Sequence, residues 1–284
     1  MENYSTVIKS GSKGVHLHMK EVWKYRDLVL LFVKRSFVTR YKQTILGPAW
    51  AIIQPLLTTV VFTVIFGNIA GLSAQGVPSF IFYFSGTLLW NYFSACLTGT
   101  ANTFINNRAI LGKVYFPRMV MPVSNVLSHL ITLVIQLAFF ACFLIYFLIS
   151  SDSIHINWYA FMFPLLVLQM ACLGLGVGVI ISALTTKYRD LSMLISFGVQ
   201  IWMYGTPIAY DMEAMSAFAT SGKYHNLYML NPMTSIVNIF RYGFLGIGQI
   251  EWLYYGIGWG ITIVLLFIGI VMFNKVERTF MDTI

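Results

Sequence analysis

Apolar and polar positions divide this chain into six long apolar runs joined by shorter polar segments. The runs cover roughly 48–72, 80–101, 119–149, 158–184, 191–210 and 252–273. About 20 mostly apolar residues are needed to carry a helix across the hydrocarbon core of a bilayer. Each run therefore predicts a transmembrane helix, and all are far too long for barrel strands. The third is longer than a span requires, which predicts tilt or projection beyond the bilayer. The fourth contains "GLGVG" at 174–178, small residues that let helix backbones approach closely.

Two further stretches are amphipathic but too short to cross. In "KEVWKYRDLVLLFVKRSF", residues 20–37, Val22, Tyr25, Val29, Phe32, Val33 and Phe37 recur at helical spacing. With basic flanks, this predicts a helix lying at anionic headgroups, and Trp23, Tyr25 and Phe32 are its candidate interface residues. The second stretch lies between the fifth and sixth runs. "NPMTSIVNIFRYGFL" has Asn231 as N-cap and Pro232 at the first helical position. Met233, Ile236, Val237, Phe240 and Phe244 then share a face. "DMEAMSAFA" before it predicts a second short helix capped by Asp211. A gate-like lid and a plain packing role are equally open for this pair.

Charge sets the expected orientation. The chain has 284 residues, 58% hydrophobic and 10% charged, with mean hydropathy +0.74. A soluble domain carries about 25% charge. Of the 18 Lys and Arg residues, nine lie in 1–47, three in 102–118, two in 185–190 and two in 274–284. Only Lys223 and Arg241 fall in the alternate loops. The basic side is expected to face the cytoplasm, with both termini there, and six spans satisfy that arrangement. The +8 net charge is then a property of cytoplasmic loops, and no nucleic-acid partner is expected. The expected architecture is all-α and integral to the membrane, with a cytoplasmic segment 1–47 and a six-span domain 48–284. No cleavable signal peptide is evident in the polar, basic first 20 residues. The three cysteines lie in apolar runs without a CxxC, which favours buried, inert thiols.

Candidate chemistry is sparse. The six runs are read as holding no acid and no histidine, which argues against proton coupling. "LGKV" at 111–114 and "SGKY" at 221–224 contain GK but lack the rest of a phosphate-binding loop. If transport is active, another subunit supplies the energy and needs a docking surface here. The short charged loop 102–118, "NTFINNRAILGKVYFPR", is the natural candidate, with a short helix expected at 104–111.

Six fragments occur in a recognisable order: "RYKQTILGPAWAIIQPLL" (40–57), "GTLLWNYFSACL" (86–97), "NNRAILGKVYFPRMVMPVSNV" (106–126), "KYRDL" (187–191), "TPIAY" (206–210) and "LNPMTSIVNIFR" (230–241). In that order they resemble the membrane permeases of ABC type-2 polysaccharide exporters, which serve O-antigen, capsule and teichoic acid. The resemblance runs from about residue 20 to the end. It implies a homodimer of six-span permeases with two cytoplasmic ATP-binding subunits in the bacterial inner membrane. It further implies a long glycan on undecaprenyl diphosphate as substrate, with ATP and magnesium held by the partner and no cofactor or metal in this chain. The short helix of the first cytoplasmic loop, about Asn106, Asn107, Arg108, Leu111 and Lys113, is the implied ATPase-docking element. The interface helix is a further implied contact, and the outer helices are the implied cap.

Trp90, Tyr92, Phe93, Trp202 and Tyr204 lie within runs, and rings stack on the C–H faces of sugars, so they are candidates for a glycan path. Interfacial belts and plain packing account for span aromatics equally well. Arg40, Lys42, Arg118 and Arg189 are candidate diphosphate contacts, although basic cytoplasmic loops alone explain all four. Two other readings stay open: an ABC type-2 exporter of a drug or lipid, and a membrane-embedded enzyme acting on lipid-linked sugars. The second needs interfacial acids or histidines, and Asp152, Asp211 and Glu213 form no recognisable motif.

Overall fold

The computed structural model describes residues 23–42, 44–72, 76–107, 110, 116–151, 153–187, 190–213 and 222–279, with backbone only at 186–187 and 276–279. The described residues are all helix and turn. The elements are α1 (Arg26–Tyr41), α2 (Trp50–Phe62), α3 (Ser79–Ala101), α4 (Thr103–Asn106), α5 (Val120–Ser150), α6 (Phe163–Lys187), α7 (Leu191–Tyr204), α8 (His225–Met229), α9 (Pro232–Leu245) and α10 (Trp252–Thr279). A 3-10 turn at Gly47–Ala49 leads into α2, and a π-type stretch at Thr63–Ile69 extends it.

Among the described residues, five stretches are long and apolar enough to cross a membrane: Gly47–Ile69, Ser79–Ala101, Val120–Ser150, Trp158–Thr185 and Trp252–Lys275. Their ends fall within a few residues of the expected runs. The fifth expected run, 191–210, is helical only through Tyr204, so α7 has 14 residues. At about 1.5 Å per residue it is roughly 21 Å long, short of a hydrocarbon core. Pro207 supplies the reason, because a proline disfavours helix at the residue before it and donates no N–H. Residues 205–210 form turns instead.

Helix α3 is the centre of the bundle. Sixteen of its 23 residues are buried, and it packs on α2, α5, α6, α7 and α9. It is also the least apolar of the five long stretches. The two facts agree: a helix surrounded by protein can carry Ser85 and Thr87, which also bond Arg241 Nε and Thr59 Oγ1 on neighbouring helices. By contrast α5 leaves Val134, Ile145, Tyr146 and Ile149 exposed for a lipid environment. Cys142 is exposed on the same helix, whereas Cys96 is buried as expected.

The glycines at 174–178 set the packing of α6 on two sides. A Cβ at Gly178 would lie 2.6 Å from Thr100 Cβ and 2.8 Å from Leu97 O on α3. One at Gly176 would lie 2.8 Å from Leu266 N on α10. Glycine at i and i+4 thus meets one neighbour, and the glycine between them meets the other. Polar contacts join α2 to the bundle. Pro55 lies inside α2 and cannot donate to the carbonyl of Ala51. Gln136 Nε2 of α5 donates to that carbonyl at 3.0 Å. Thr59 and Thr87 share a hydrogen bond of 3.0 Å between α2 and α3.

The bundle has two distinct ends. At the basic end a second core joins Val29 and Phe32 of α1, Phe104 of α4, Phe116, Met119, Val120, Met121, Val179, Ile270 and Phe273. At the opposite end, Asn157 N donates to Gly243 O at 2.8 Å and Asp211 N to Leu72 O at 2.9 Å.

Candidate functional site

The basic end gathers the segments nominated for docking. Helix α1 begins at Arg26 and runs to Tyr41, four residues past the expected end at 37. Val29 and Phe32 are buried, Tyr25, Val33 and Phe37 are half-buried, and Leu30 and Leu31 are exposed. The expected face is therefore the one turned inward, against α5. Trp23 is 72% exposed and points away from this core.

The first basic loop is anchored at both ends. Phe104 stacks on Phe273 of α10, with ring centroids 4.9 Å apart. Phe116 meets Phe32 of α1 at 5.8 Å. Between these anchors Asn106 is exposed and Asn107 half-buried. Helix α4 ends at Asn106, and the Asn107 side chain donates to Thr103 O at 3.0 Å. Arg108, Leu111 and Lys113 lie outside the described residues, as does Arg189.

The other candidate cations differ in environment. Arg118 is buried, whereas Arg40 and Lys42 are exposed. Arg40 NH1 lies 3.3 Å from Thr132 Oγ1 and 3.3 Å from His129 Nδ1, and NH2 lies 3.4 Å from His129 Nε2. A neutral imidazole has one acceptor nitrogen, so only one of the two ring contacts is a hydrogen bond at a time. His129 is a ring within the third span that the run pattern passes over, because one histidine barely lowers the apolarity of 31 residues.

The aromatic candidates fall into two groups. Trp90, Tyr92 and Phe93 are buried within the single chain. Trp90 meets Phe93 at 5.3 Å, and Phe93 meets Trp202 at 5.0 Å, so they form a packed ring chain from α3 to α7. Trp202 is half-buried and Tyr204 is 48% exposed.

At the opposite end, α9 has the expected cap and face. Asn231 Oδ1 accepts from Met233 N at 3.1 Å, and Met233, Ile236, Val237 and Phe240 are fully buried. Eleven of its 14 residues are buried, however, so α9 lies inside the bundle rather than on it. Of the expected second helix at 211–219, residues 211–213 are non-helical and 214–221 lie outside the described residues. A short helix, α8, occurs later, at His225–Met229. His225 Nε2 pairs with Glu251 at 2.9 Å and Tyr254 donates to Asn226 at 2.6 Å, tying α8 to the start of α10.

Arg241, which the charge count groups with the alternate loops, is buried on α9. It is 3% exposed. Its NH1 donates to Pro207 O at 2.6 Å, and NH2 reaches Ile208 O at 3.2 Å and Phe82 O at 3.4 Å. Its Nε donates to Ser85 Oγ at 3.2 Å, and Cζ sits 3.7 Å over the Phe82 ring. Burial pushes the guanidinium down to about 10, opposed by Asp211, Tyr228 and Tyr83, so it stays charged at neutral pH. Burial raises the Asp211 carboxyl, and Arg241 draws it partly back. The sequence does carry a signal: Arg241 continues the stripe Met233, Val237 at intervals of four.

Comparison with known proteins follows this architecture closely. Residues 27–245, from the first turn of α1 to the last residue of α9, match the ABC-2 type transporter model. The chain is 29% identical to an O-antigen export system permease protein of Myxococcus xanthus, over 78% of this chain and 82% of that protein. It is 26% and 25% identical to two such proteins of Klebsiella pneumoniae, each over 90% of this chain and 94% of the relative. A match embracing helix α1, four of the five long apolar stretches and the buried helix α9 makes this multi-pass membrane protein a member of the ABC-2 type transporter family.

Proposed function

We propose that the chain is the permease subunit of an ATP-driven exporter that moves a lipid-linked polysaccharide across the bacterial inner membrane. The observation that carries this reading is the near full-length likeness to O-antigen export permeases, over 90% of this chain. The glycan is carried on undecaprenyl diphosphate, both termini face the cytoplasm, and α7 completes six crossings with the turn that follows it. ATP and magnesium are bound by a separate cytoplasmic subunit, two copies of which serve a homodimer of this chain.

The geometry supports docking at the basic end. Phe104 and Phe116 clamp the loop to α10 and α1, so a push on residues 106–113 is felt by the interface helix and the last span together. Helix α7 supports the dimer. It exposes Met193, Leu194, Phe197, Ile201 and Tyr204, and a second copy laid along it shields this face and lets a long glycan pass between protomers. Arg40, Lys42 and Arg189 serve the diphosphate near the cytoplasmic leaflet, whereas Arg118, expected to join them, is buried within the chain.

The test has two arms. Deleting the gene is expected to abolish surface polysaccharide, and intact surface glycan in a cell without a second such permease refutes the function. Arg108→Glu or Lys113→Glu is expected to reduce copurification with the ATP-binding subunit about tenfold, as for loss of one interfacial charge contact, while membrane insertion is retained. Unchanged copurification and transport in both variants refute the docking assignment.

A further inference from the structure

We infer that Arg241 and Asn231 are positioning residues that weld α7, the 205–210 turn and α9 into one rigid body seated on α3. Helix α9 then travels with α7 during transport instead of swinging as a separate lid. This rests on the transport reading above for its consequence, and on geometry alone for the weld.

The weld has two points. Asn231 stands at the first. Its Nδ2 donates to Gly205 O and to Thr206 Oγ1, both at 2.9 Å. Its Oδ1 accepts from Trp202 Nε1 at 3.0 Å and from Met233 N at 3.1 Å. The cap of α9 and the end of α7 therefore share one side chain. Arg241, nearly three turns along α9, stands at the second. Thr206, Pro207, Ile208 and Ala209 are buried although they are not helical. Irregular backbone with no water nearby needs donors from elsewhere in the protein. The guanidinium supplies them to Pro207 and Ile208, and those carbonyls in turn solvate a charge that is otherwise costly to bury. Phe82 and Ser85 extend the same fork to α3. Only a planar fork reaches three carbonyls and a hydroxyl at once, so lysine is not equivalent. A third contact agrees: Asn238 Nδ2 of α9 lies 3.4 Å from Met212 Sδ, just past the turn. Gly86 makes room for the arrangement, since a Cβ there would sit 3.0 Å from Arg241 NH2 and 3.2 Å from Ile208 Cα.

Two measurements test the weld. In a Cys142→Ser background, spin labels at Phe197→Cys of α7 and Tyr242→Cys of α9, in the intact chain in lipid nanodiscs, are expected to give a narrow distance distribution. That distribution should broaden in Arg241→Met and Asn231→Ala and less in Arg241→Lys. Equal widths in all four chains overturn the proposal. In a Cys142→Ser background, bridging Met212→Cys to Asn238→Cys with a short bifunctional thiosulfonate holds α9 to the turn without touching either welding residue. Export by the bridged chain is expected to match that of the unbridged one, and its loss on bridging overturns the proposal by showing that α9 must part from the turn. The label distances need neither cargo nor ATPase. A native chain that exports nothing thus refutes the transport reading alone, while the distributions still decide the weld.

Discussion

Pro55 and Gln136 form a pair whose energetics can be worked from the structure. Pro55 leaves the Ala51 carbonyl without its helical donor, and Gln136 of α5 replaces that donor at 3.0 Å. Ala51 is 6% exposed and Gln136 5%, so water does not substitute. Gln136→Leu keeps most of the volume and removes the donor. A buried acceptor left unpaired costs about 1–3 kcal/mol. Interhelical hydrogen bonds measured in membranes run lower, about 0.6 to 1.7 kcal/mol, because the unfolded chain in lipid finds other partners. The Ala51 carbonyl has no spare N–H within its own helix, so about 1–2 kcal/mol is expected. In Pro55→Ala, the new backbone N–H reaches Ala51 O, so loss of the Gln136 donor no longer leaves that carbonyl unpaired. Gln136→Leu should then be neutral or stabilising. A double-mutant cycle on four chains, read as the midpoint of heat-induced loss of monodisperse protein, should give a coupling of about 1–2 kcal/mol. At about 2–4 °C per kcal/mol for a chain of this size, the first substitution lowers the midpoint by several degrees and the second leaves it level. Equal lowering in both backgrounds would refute the assignment.

Three further outcomes are expected. Gly178→Ala should destabilise by about 1–3 kcal/mol, because its Cβ meets Leu97 O at 2.8 Å. Gly256→Ala, which meets nothing within 4 Å, should be neutral or better, and the same thermal assay ranks them. Phe116→Ala should cost about 3 kcal/mol as a buried aromatic lost from the second core, and should weaken ATPase copurification beyond any loss of folded protein. Asp211→Asn tests the raised carboxyl. A pKa raised on folding means that the ionised form is disfavoured in the fold, so ionisation costs stability above the folded pKa. The variant should exceed the native chain in stability at neutral pH, with the difference shrinking as the pH falls through the folded pKa. An advantage independent of pH would contradict the burial account.

The long helices were legible because lipid exposure demands unbroken apolarity, and 79–101 and 120–150 differ from the expected ends by one residue. The Asn231 cap and the buried stripe of α9 were legible from spacing alone. The end of α7 is not legible in this way, because apolarity reports what surrounds a residue, and the turn at 205–210 is largely buried like a span. The role of Arg241 is hidden for a related reason: its place on the expected helix is readable, but the acceptors that await it are not.

The sequence by itself determined that the chain is a basic-ended helical membrane protein, where its long helices run, and which stretches resemble an exporter permease. Those properties follow from local composition and period, which any segment carries within itself. Only the tertiary structure decided that α3 is central, that Gln136 repairs the break at Pro55, and that Arg241 fills the carbonyls of a distant turn. Each depends on partners separated in the chain, Gln136 and Ala51 across 85 positions and Arg241 and Pro207 across 34, and no local pattern encodes which distant donor meets which orphaned acceptor.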